Sequence, residues 1–372
     1  MSKFDRTNLS RFGRWWWTVD SYTVMALIVL IGLGMVMVAA SSPPVAERIG
    51  LDSFHFVRRQ YMFLGLSALV MFYISTMSIP SVRRISVLLF LGSLAAMLAL
   101  PLIGFENKGA IRWIRFAGMS VQPSEFMKPA FAVLVAWLLA ERARTPGFPG
   151  YKVAFGLFSI VAGLLITQPD FGMTMTVTSM FIIQLFVAGI SMAWVIGLGA
   201  LAIVGAIGAY HLLPHVQARI DRFLDPSSGD NYQVQKSLDA FANGGLLGEG
   251  LGEGKVKHSI PDAHTDFVFA VAGEEFGVIL TLLIIGVFAF IVIRGFTQLT
   301  QVKDRFVMLA VTGILAQFGI QAIVNMGVAV NLLPAKGMTL PFLSYGGSSL
   351  VAMAMAMGMM LALTRRQYGG VA

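Results

Sequence analysis

Apolar residues fall in long runs separated by short polar joints. A helix crossing hydrocarbon needs roughly 20 mostly apolar residues. That ruler predicts about ten spans, near residues 22–41, 57–77, 84–103, 123–140, 152–167, 171–188, 192–213, 267–293, 305–326 and 345–363. The fifth and sixth are separated only by Gln168, Pro169 and Asp170, so a single long span there would reverse everything downstream. The predicted fold class is all-α: a polytopic membrane protein with a cytoplasmic tail over 1–21, a ten-helix membrane domain over 22–363 and a cytoplasmic C-terminal tail over 364–372.

One stretch breaks the pattern. Residues 214–265 are far richer in polar residues and glycine, yet keep Phe223, Leu224, Tyr232, Phe241, Leu246 and Leu247 as packing material. Loops of more than about 12–15 residues in a compact protein are usually functional or disordered. This one reads as an ordered lid or site-building loop between the seventh and eighth spans. With the N-terminus inside it lies outside the membrane, as do 105–121 and 327–344, which read as interfacial or re-entrant pieces. The short inside segments then carry Lys3, Arg6, Arg11, Arg14, Arg83, Arg84, Arg142, Arg144, Lys152, Arg294, Lys303, Arg305, Arg365 and Arg366. Basic residues are denser there, as the positive-inside rule requires.

Composition agrees. The chain is 56% hydrophobic and only 12% charged, whereas a soluble domain has about a quarter of its residues charged. The net charge of +8 is scattered in short clusters between apolar runs, which fits topology and not a nucleic-acid face. With no cysteine, disulfides, thiolate metal sites and cysteine nucleophiles are excluded. The polar, basic stretch before the first span has no small-residue cleavage site, so that span is expected to serve as the export anchor.

Several motifs carry chemistry, each with a plainer alternative. Gly244 to Lys255 resembles a phosphate loop but lacks the required glycine and hydroxyl positions, with Glu249 and Val256 in those places, so it reads as a flexible, turn-forming tract. Asp266 sits where the polar loop meets hydrocarbon, a place that raises a carboxyl toward useful base strength; it could equally cap the following helix. His264, two residues away, is either an orienting group or a structural one, and nothing stands at zinc spacing beside it. Glu125 and Lys128, three apart on a predicted helix, can pair on one face; such intramembrane charges are functional by default, or else fix helix packing. Arg112 beside Trp113 suits an anionic headgroup or interfacial anchoring. Gln168-Pro169-Asp170 reads as a proline turn with an Asp cap. Lys336 to Ser349, with its Gly-Gly and Ser-Ser pairs, allows either close helix contact or a lysine meeting phosphate.

Taken together, Gly109 to Ile114, Gln122 to Lys128, Gln168 to Asp170, Pro261 to Phe269 and Lys336 to Ser349 make the chain resemble the SEDS family, the RodA/FtsW/SpoVE proteins, across nearly its whole length. The Lys336 to Ser349 segment is closer to the FtsW branch. Where members often carry an acidic residue upstream of the Asp, this chain has His258.

The resemblance implies a peptidoglycan glycosyltransferase that polymerises lipid II, the undecaprenyl-pyrophosphate disaccharide-pentapeptide, at the outer face of the bacterial inner membrane during septal division. Asp266 is then the general base for the incoming sugar hydroxyl. The substrate-binding candidates are Gln122, Glu125, Lys128, Arg112, Asp170, His264, Lys336 and Ser344, with Mg or Mn as a possible cation. Also implied are a class B penicillin-binding protein that crosslinks the strands, other divisome proteins and no nucleic acid. A lipid II flippase, an elongation-type polymerase and a non-catalytic scaffold are the alternatives.

Overall fold

The computed structural model describes residues 11–107, 109–116, 118–224, 232–334 and 337–365. A short N-terminal helix, α1 (Arg11–Thr18), precedes α2 (Ser21–Arg48), α3 (His55–Ser75) and α4 (Ile79–Ile103). Then come strands β1 (Phe105–Asn107), β2 (Ala110–Phe116) and β3 (Met119–Val121), followed by α5 (Pro123–Arg144), α6 (Gly150–Thr167), α7 (Phe171–Val187) and α8 (Met192–Leu212). The last group is α9 (Pro214–Leu224), α10 (Tyr232–Gly244), α11 (Val268–Leu299), α12 (Arg305–Ala329) and α13 (Gly347–Thr364). Each predicted span lies on one of these helices. Eight are long and apolar enough to cross a membrane; α3 and the shorter α7 occupy the two remaining places.

The segment over 105–121, expected to be an interfacial or re-entrant piece, is a three-stranded antiparallel meander, β1-β2-β3. Its backbone satisfies itself across strands, which an irregular piece at the membrane surface could not do. The joint at 168–170 separates two helices, and Asp170 caps α7 by accepting from the Met173 amide at 3.1 Å. The orientation count therefore includes both.

Side-chain contacts gather alternate helix ends. Asp20 at the start of α2 holds Arg294 near the end of α11, and Arg83 of α4 stacks on Trp137 of α5 and Phe306 of α12. Arg305 at the start of α12 donates to the Ala188 carbonyl just after α7, and Arg365 after α13 donates to Thr76 after α3. All these positions belong to one end of the bundle, so 168–170 and the described parts of the long loop, 214–224 and 232–265, belong to the other.

The core runs through α5, α12 and α13, which are mostly buried. Around them α4 and α8 turn Leu88, Leu91, Leu98, Leu102, Ile196, Leu201 and Ile203 outward. An apolar exterior of that extent fits a lipid solvent and would be a liability in water. The chain is a multi-pass membrane protein.

Helix α11 is not the single unbroken span that its apolar run suggests. Its 32 residues would reach about 48 Å, well beyond a hydrocarbon thickness of about 30 Å. It breaks at Gly277 (φ 72°, ψ −171°). Residues 268–275 before the break are buried in protein, as non-helical backbone near membrane depth has to be. The tract 244–254 repairs the break: the Glu249 and Gly250 amides donate to the Glu274 and Glu275 carbonyls, and the Val278 amide donates to Gly245. Glycine is required there, because a Cβ on Gly248 would lie 2.2 Å from the Glu275 carbonyl oxygen and one on Gly277 2.4 Å from that of Leu246. The tract forms turns, as expected, but hydrogen bonds fix it in place.

Candidate active site

The site assembles on the chain between α12 and α13. Residues 340–344 make a tight turn in which Ser344 Oγ accepts from the Leu340 amide at 2.8 Å, and Phe342 adopts a left-handed φ of 65°. Such a conformation costs a non-glycine residue roughly 1–2 kcal/mol, so packing has to hold it. Gly34 of α2 allows this, since a Cβ there would stand 2.0 Å from the Phe342 carbonyl oxygen. Gln60 of α3 donates to the Ser344 carbonyl at 3.1 Å. Ser344 is thus fully buried turn chemistry.

Asn325, near the end of α12, joins that segment to Asp266. Its Nδ2 donates to the Asp266 carbonyl at 2.9 Å and to the Met338 carbonyl at 2.6 Å. Asp266 lies one residue outside the cap position of α11, which Phe267 occupies without a side-chain cap bond. Asp266 lines a recess with Val324, Asn325, Val328, Gly337 and Met338. A Cβ on Gly337 would sit 3.4 Å from Asp266 Oδ2, so chain 337–338 passes directly over the carboxylate.

His264 is buried between Phe56 and Tyr345, with ring centroids 4.6 and 5.3 Å away. Its carbonyl accepts from the Tyr345 amide at 2.8 Å. The ring acts as a packing piece that ties the loop before α11 to the first turn of α3 and the start of α13. The charge of Arg59, an exposed residue of α3, acts on Tyr345 from nearby.

One turn before Asn325, Gln321 links the same segment to the buried charges. Lys128 Nζ lies 2.8 Å from Glu125 and donates to Gln321 Oε1 at 3.0 Å. Gln321 Nε2 donates to the Thr339 carbonyl at 3.0 Å, and Thr339 shares a 2.7 Å hydrogen bond with Ser349. With Lys128 and Glu125 1% and 4% exposed, neither reaches open solvent.

Gln122, Asp170 and Arg112 form a second cluster at the start of α5. Gln122 Nε2 donates to Asp170 Oδ2 at 3.3 Å. Arg112 donates to the Gln168 carbonyl at 2.8 Å and to that of Pro169, with its Nη1 3.6 Å from Asp170. The guanidinium clamps the turn. Lys336 lies outside the described residues.

Sequence reasoning missed Asn325 and Gln321, although amides four residues apart in an otherwise apolar span mark one polar helix face. It also missed the frame behind Asp266. Glu274 accepts from the Val256 and Lys257 amides at 2.7 and 2.8 Å and from Asn243 at 3.0 Å. Glu275 accepts from the Gly252 amide and pairs with the buried Lys257 ammonium. Two carboxylates buried at the break are thereby satisfied. Among the described residues no three His, Asp or Glu side chains gather to hold a metal.

Comparison with known proteins places the whole chain. The FTSW_RODA_SPOVE family model, described as cell cycle protein, matches residues 21–369. A relative from Caulobacter vibrioides, a probable peptidoglycan glycosyltransferase FtsW, is 45% identical over 98% of this chain and 94% of its own. Stage V sporulation protein E of Bacillus subtilis is 34% identical over 93% of this chain and 97% of its own. Among solved structures, a chain of a peptidoglycan synthase complex that coordinates polymerization and crosslinking superimposes with a TM-score of 0.77 at 28% identity, covering 93% of this chain and 97% of that one. Rod shape determining protein RodA of Thermus thermophilus does so with a TM-score of 0.69 at 26% identity, covering 94% and 97%.

Proposed function

Because the chain belongs to the FtsW/RodA/SpoVE family of cell cycle proteins, we propose that it is a peptidoglycan glycosyltransferase that polymerises lipid II at the outer face of the inner membrane, in septal division. The observation that carries the reading is the placement of Asp266, lining a recess where loop, α12 and the 337–349 segment meet.

The chemistry follows from the bond made. Joining the sugars in β-1,4 linkage from an α-linked diphosphate inverts the anomeric carbon, so a single displacement with a single base is sufficient. Asp266 accepts the proton of the incoming 4-hydroxyl as its oxygen attacks that carbon, and undecaprenyl diphosphate leaves with the bonding pair. Positioned proton transfer of this kind contributes about 10²–10⁴-fold. Negative charge grows on the departing diphosphate, so cations at the same end stabilise the transition state. Arg59, exposed near Tyr345, joins Lys336 as a candidate for that role. Lys128 and Arg112 act from behind, bracing the 337–349 segment and the 168–170 turn.

The resemblance to a synthase complex supports a partner of the class B penicillin-binding type, which crosslinks strands as they emerge. Among the described residues no three carboxylates or histidines gather, so Mg or Mn would be held mainly by the substrate's own phosphates and would supply positive charge for the departing diphosphate.

Asp266→Asn keeps the side chain's shape and removes its basicity. Purified protein reconstituted with its transpeptidase is expected to make glycan strands from lipid II, and the variant to make none while melting at the same temperature. Undiminished synthesis by the variant would remove Asp266 from the mechanism. A flippase reading draws on the buried amides Gln317, Gln321 and Asn325, one turn apart on α12. Movement of fluorescent lipid II across vesicles holding this protein alone tests it.

A further inference from the structure

We infer that Leu246 and Leu247 are a membrane anchor of the long loop, seated among lipid tails in the leaflet on the loop's side, not in water and not against another protein. The inference goes beyond the functional reading and holds whatever reaction the site performs.

Between its break and Arg294, α11 is too short to cross the hydrocarbon alone. Arg294 marks the polar boundary at the far end, where it pairs with Asp20 and lies over the Tyr22 ring. From there back to Val278 the helix rises about 24 Å, whereas the hydrocarbon is about 30 Å thick. Tilt would only shorten that reach across the bilayer. The apolar layer therefore continues past the break, and whatever stands at that level on the outside of the bundle meets lipid.

The chain that precedes the break does not stand there, because residues 268–275 are buried in the protein. The glycine-rich tract does. The Gly245 and Leu246 carbonyls accept from the Val278 and Ile279 amides at 3.0 and 3.4 Å, closing the end of the helix at the break. Ile279, Leu282 and Leu283 on this part of α11 are 54–60% exposed, as lipid-facing residues are. Leu246 and Leu247, joined to that part of the helix through the Ile279 amide, are 72% and 78% exposed. This continuity with the lipid-facing surface of α11 assigns hydrocarbon as the occupant.

The backbone of the tract meets the condition for such a position. Irregular chain is tolerated at membrane depth only where its polar groups are satisfied by protein. The Gly245 and Gly248 amides donate to Phe241 and Gly244, and those of Glu249 and Gly250 to the Glu274 and Glu275 carbonyls. The Gly252 amide donates to the Glu275 carboxylate, and the Gly252 carbonyl accepts from Lys257. Glu249 and Glu253, exposed further along, limit the depth. Charged groups avoid hydrocarbon, so their carboxylates lie in the headgroup layer and the insertion is shallow.

The chain holds no cysteine, so Leu246→Cys and Leu247→Cys each give the full-length protein a single site for a bimane label. In phospholipid nanodiscs, the label is quenched either by lipids carrying a nitroxide near the top of the acyl chain or by iodide in the water. Leu282→Cys serves as the lipid-facing reference and Lys303→Cys, exposed in the loop before α12, as the aqueous one. At both leucine positions lipid quenching is expected within about twofold of that at Leu282→Cys, and iodide quenching about fivefold or more below that at Lys303→Cys, as for a segment inserted just beneath the headgroups. Two positions are probed so that either carries the test should the other variant fail to fold.

Iodide quenching as strong as at Lys303→Cys would overturn the inference and put the tract in water. Shielding from both quenchers would overturn it in favour of a protein contact, with a second copy of this chain or a partner covering the leucines.

Discussion

Lys128 of α5 donates to Gln321 of α12 at 3.0 Å in a region closed to solvent. The same ammonium pairs with Glu125, and the same amide holds the Thr339 carbonyl. A charge pair inside the bundle thus props the segment that passes over Asp266.

Removing one member of that pair should be far worse than removing both. Lys128→Met leaves the Glu125 carboxylate buried without its counter-ion, a situation that costs about 3–5 kcal/mol. Lys128→Met combined with Glu125→Gln leaves no bare charge, and its melting temperature is expected to return close to wild type. Strand synthesis should remain depressed in the double variant, with kcat reduced and KM little changed, because Gln321 has lost its donor. Full activity in a well-folded double variant would reduce the pair to a packing device.

The break in α11 gives a steric prediction. Gly277 lies at a positive φ, and a Cβ on it would stand 2.4 Å from the Leu246 carbonyl oxygen. Gly277→Ala therefore combines backbone strain of about 1–3 kcal/mol with displacement of the 244–254 tract. The expected result is a lower melting temperature and new protease cutting within that tract. By contrast Gly286, further along α11, has nothing within 4 Å of its virtual Cβ. Gly286→Ala is the matched control and should leave both readouts alone.

What could be seen in advance follows from range. Spans such as those over α5 and α12 are written in local composition, so apolar length alone located them. The Glu125–Lys128 pair was equally local, three residues apart on one face. The break at Gly277 was hidden because the apolar run continues through it, and its repair comes from glycines some 30 residues earlier. The meander was hidden for a related reason, since three short strands carry too few residues to show a period of two against interfacial Arg and Trp. Asn325 and Asp266 are 59 residues apart, and only the fold reveals that one holds the backbone of the other.

Arg112 offers a test between two uses of one guanidinium. Its fork is directed at the carbonyls of Gln168 and Pro169 and stands beside Asp170, which in turn receives Gln122 at the start of α5. A lysine cannot reproduce that fork. Arg112→Lys is expected to lower stability by about 1–2 kcal/mol while leaving the KM for lipid II within about twofold of wild type. A rise in KM of tenfold or more at unchanged stability would show the guanidinium meeting the diphosphate after all.

At the opposite end of the bundle, Arg294 grips Asp20 through two hydrogen bonds of 2.6 and 2.7 Å and lies over the Tyr22 ring at 4.5 Å. Burial works to raise the Asp20 carboxyl, but hydrogen bonds from Arg294 and Thr23, with the Arg294 charge, outweigh it and hold the group below its ordinary value of 3.8. A carboxyl depressed in the folded state contributes its full stabilisation above the unfolded value and loses it as pH falls through the lower, folded value. The clamp should therefore be at full strength at neutral pH and insensitive to mild acid. Asp20→Asn is expected to cost about 1–2 kcal/mol at neutral pH, at the low end for a charge-assisted pair because the Arg294 side chain is 31% exposed. Melting curves of the two proteins in detergent should converge only below about pH 4, where wild-type Asp20 begins to protonate. Curves that converge near pH 6 would assign the dependence to another group, and curves that never separate would show that α2 and α11 hold together without the clamp.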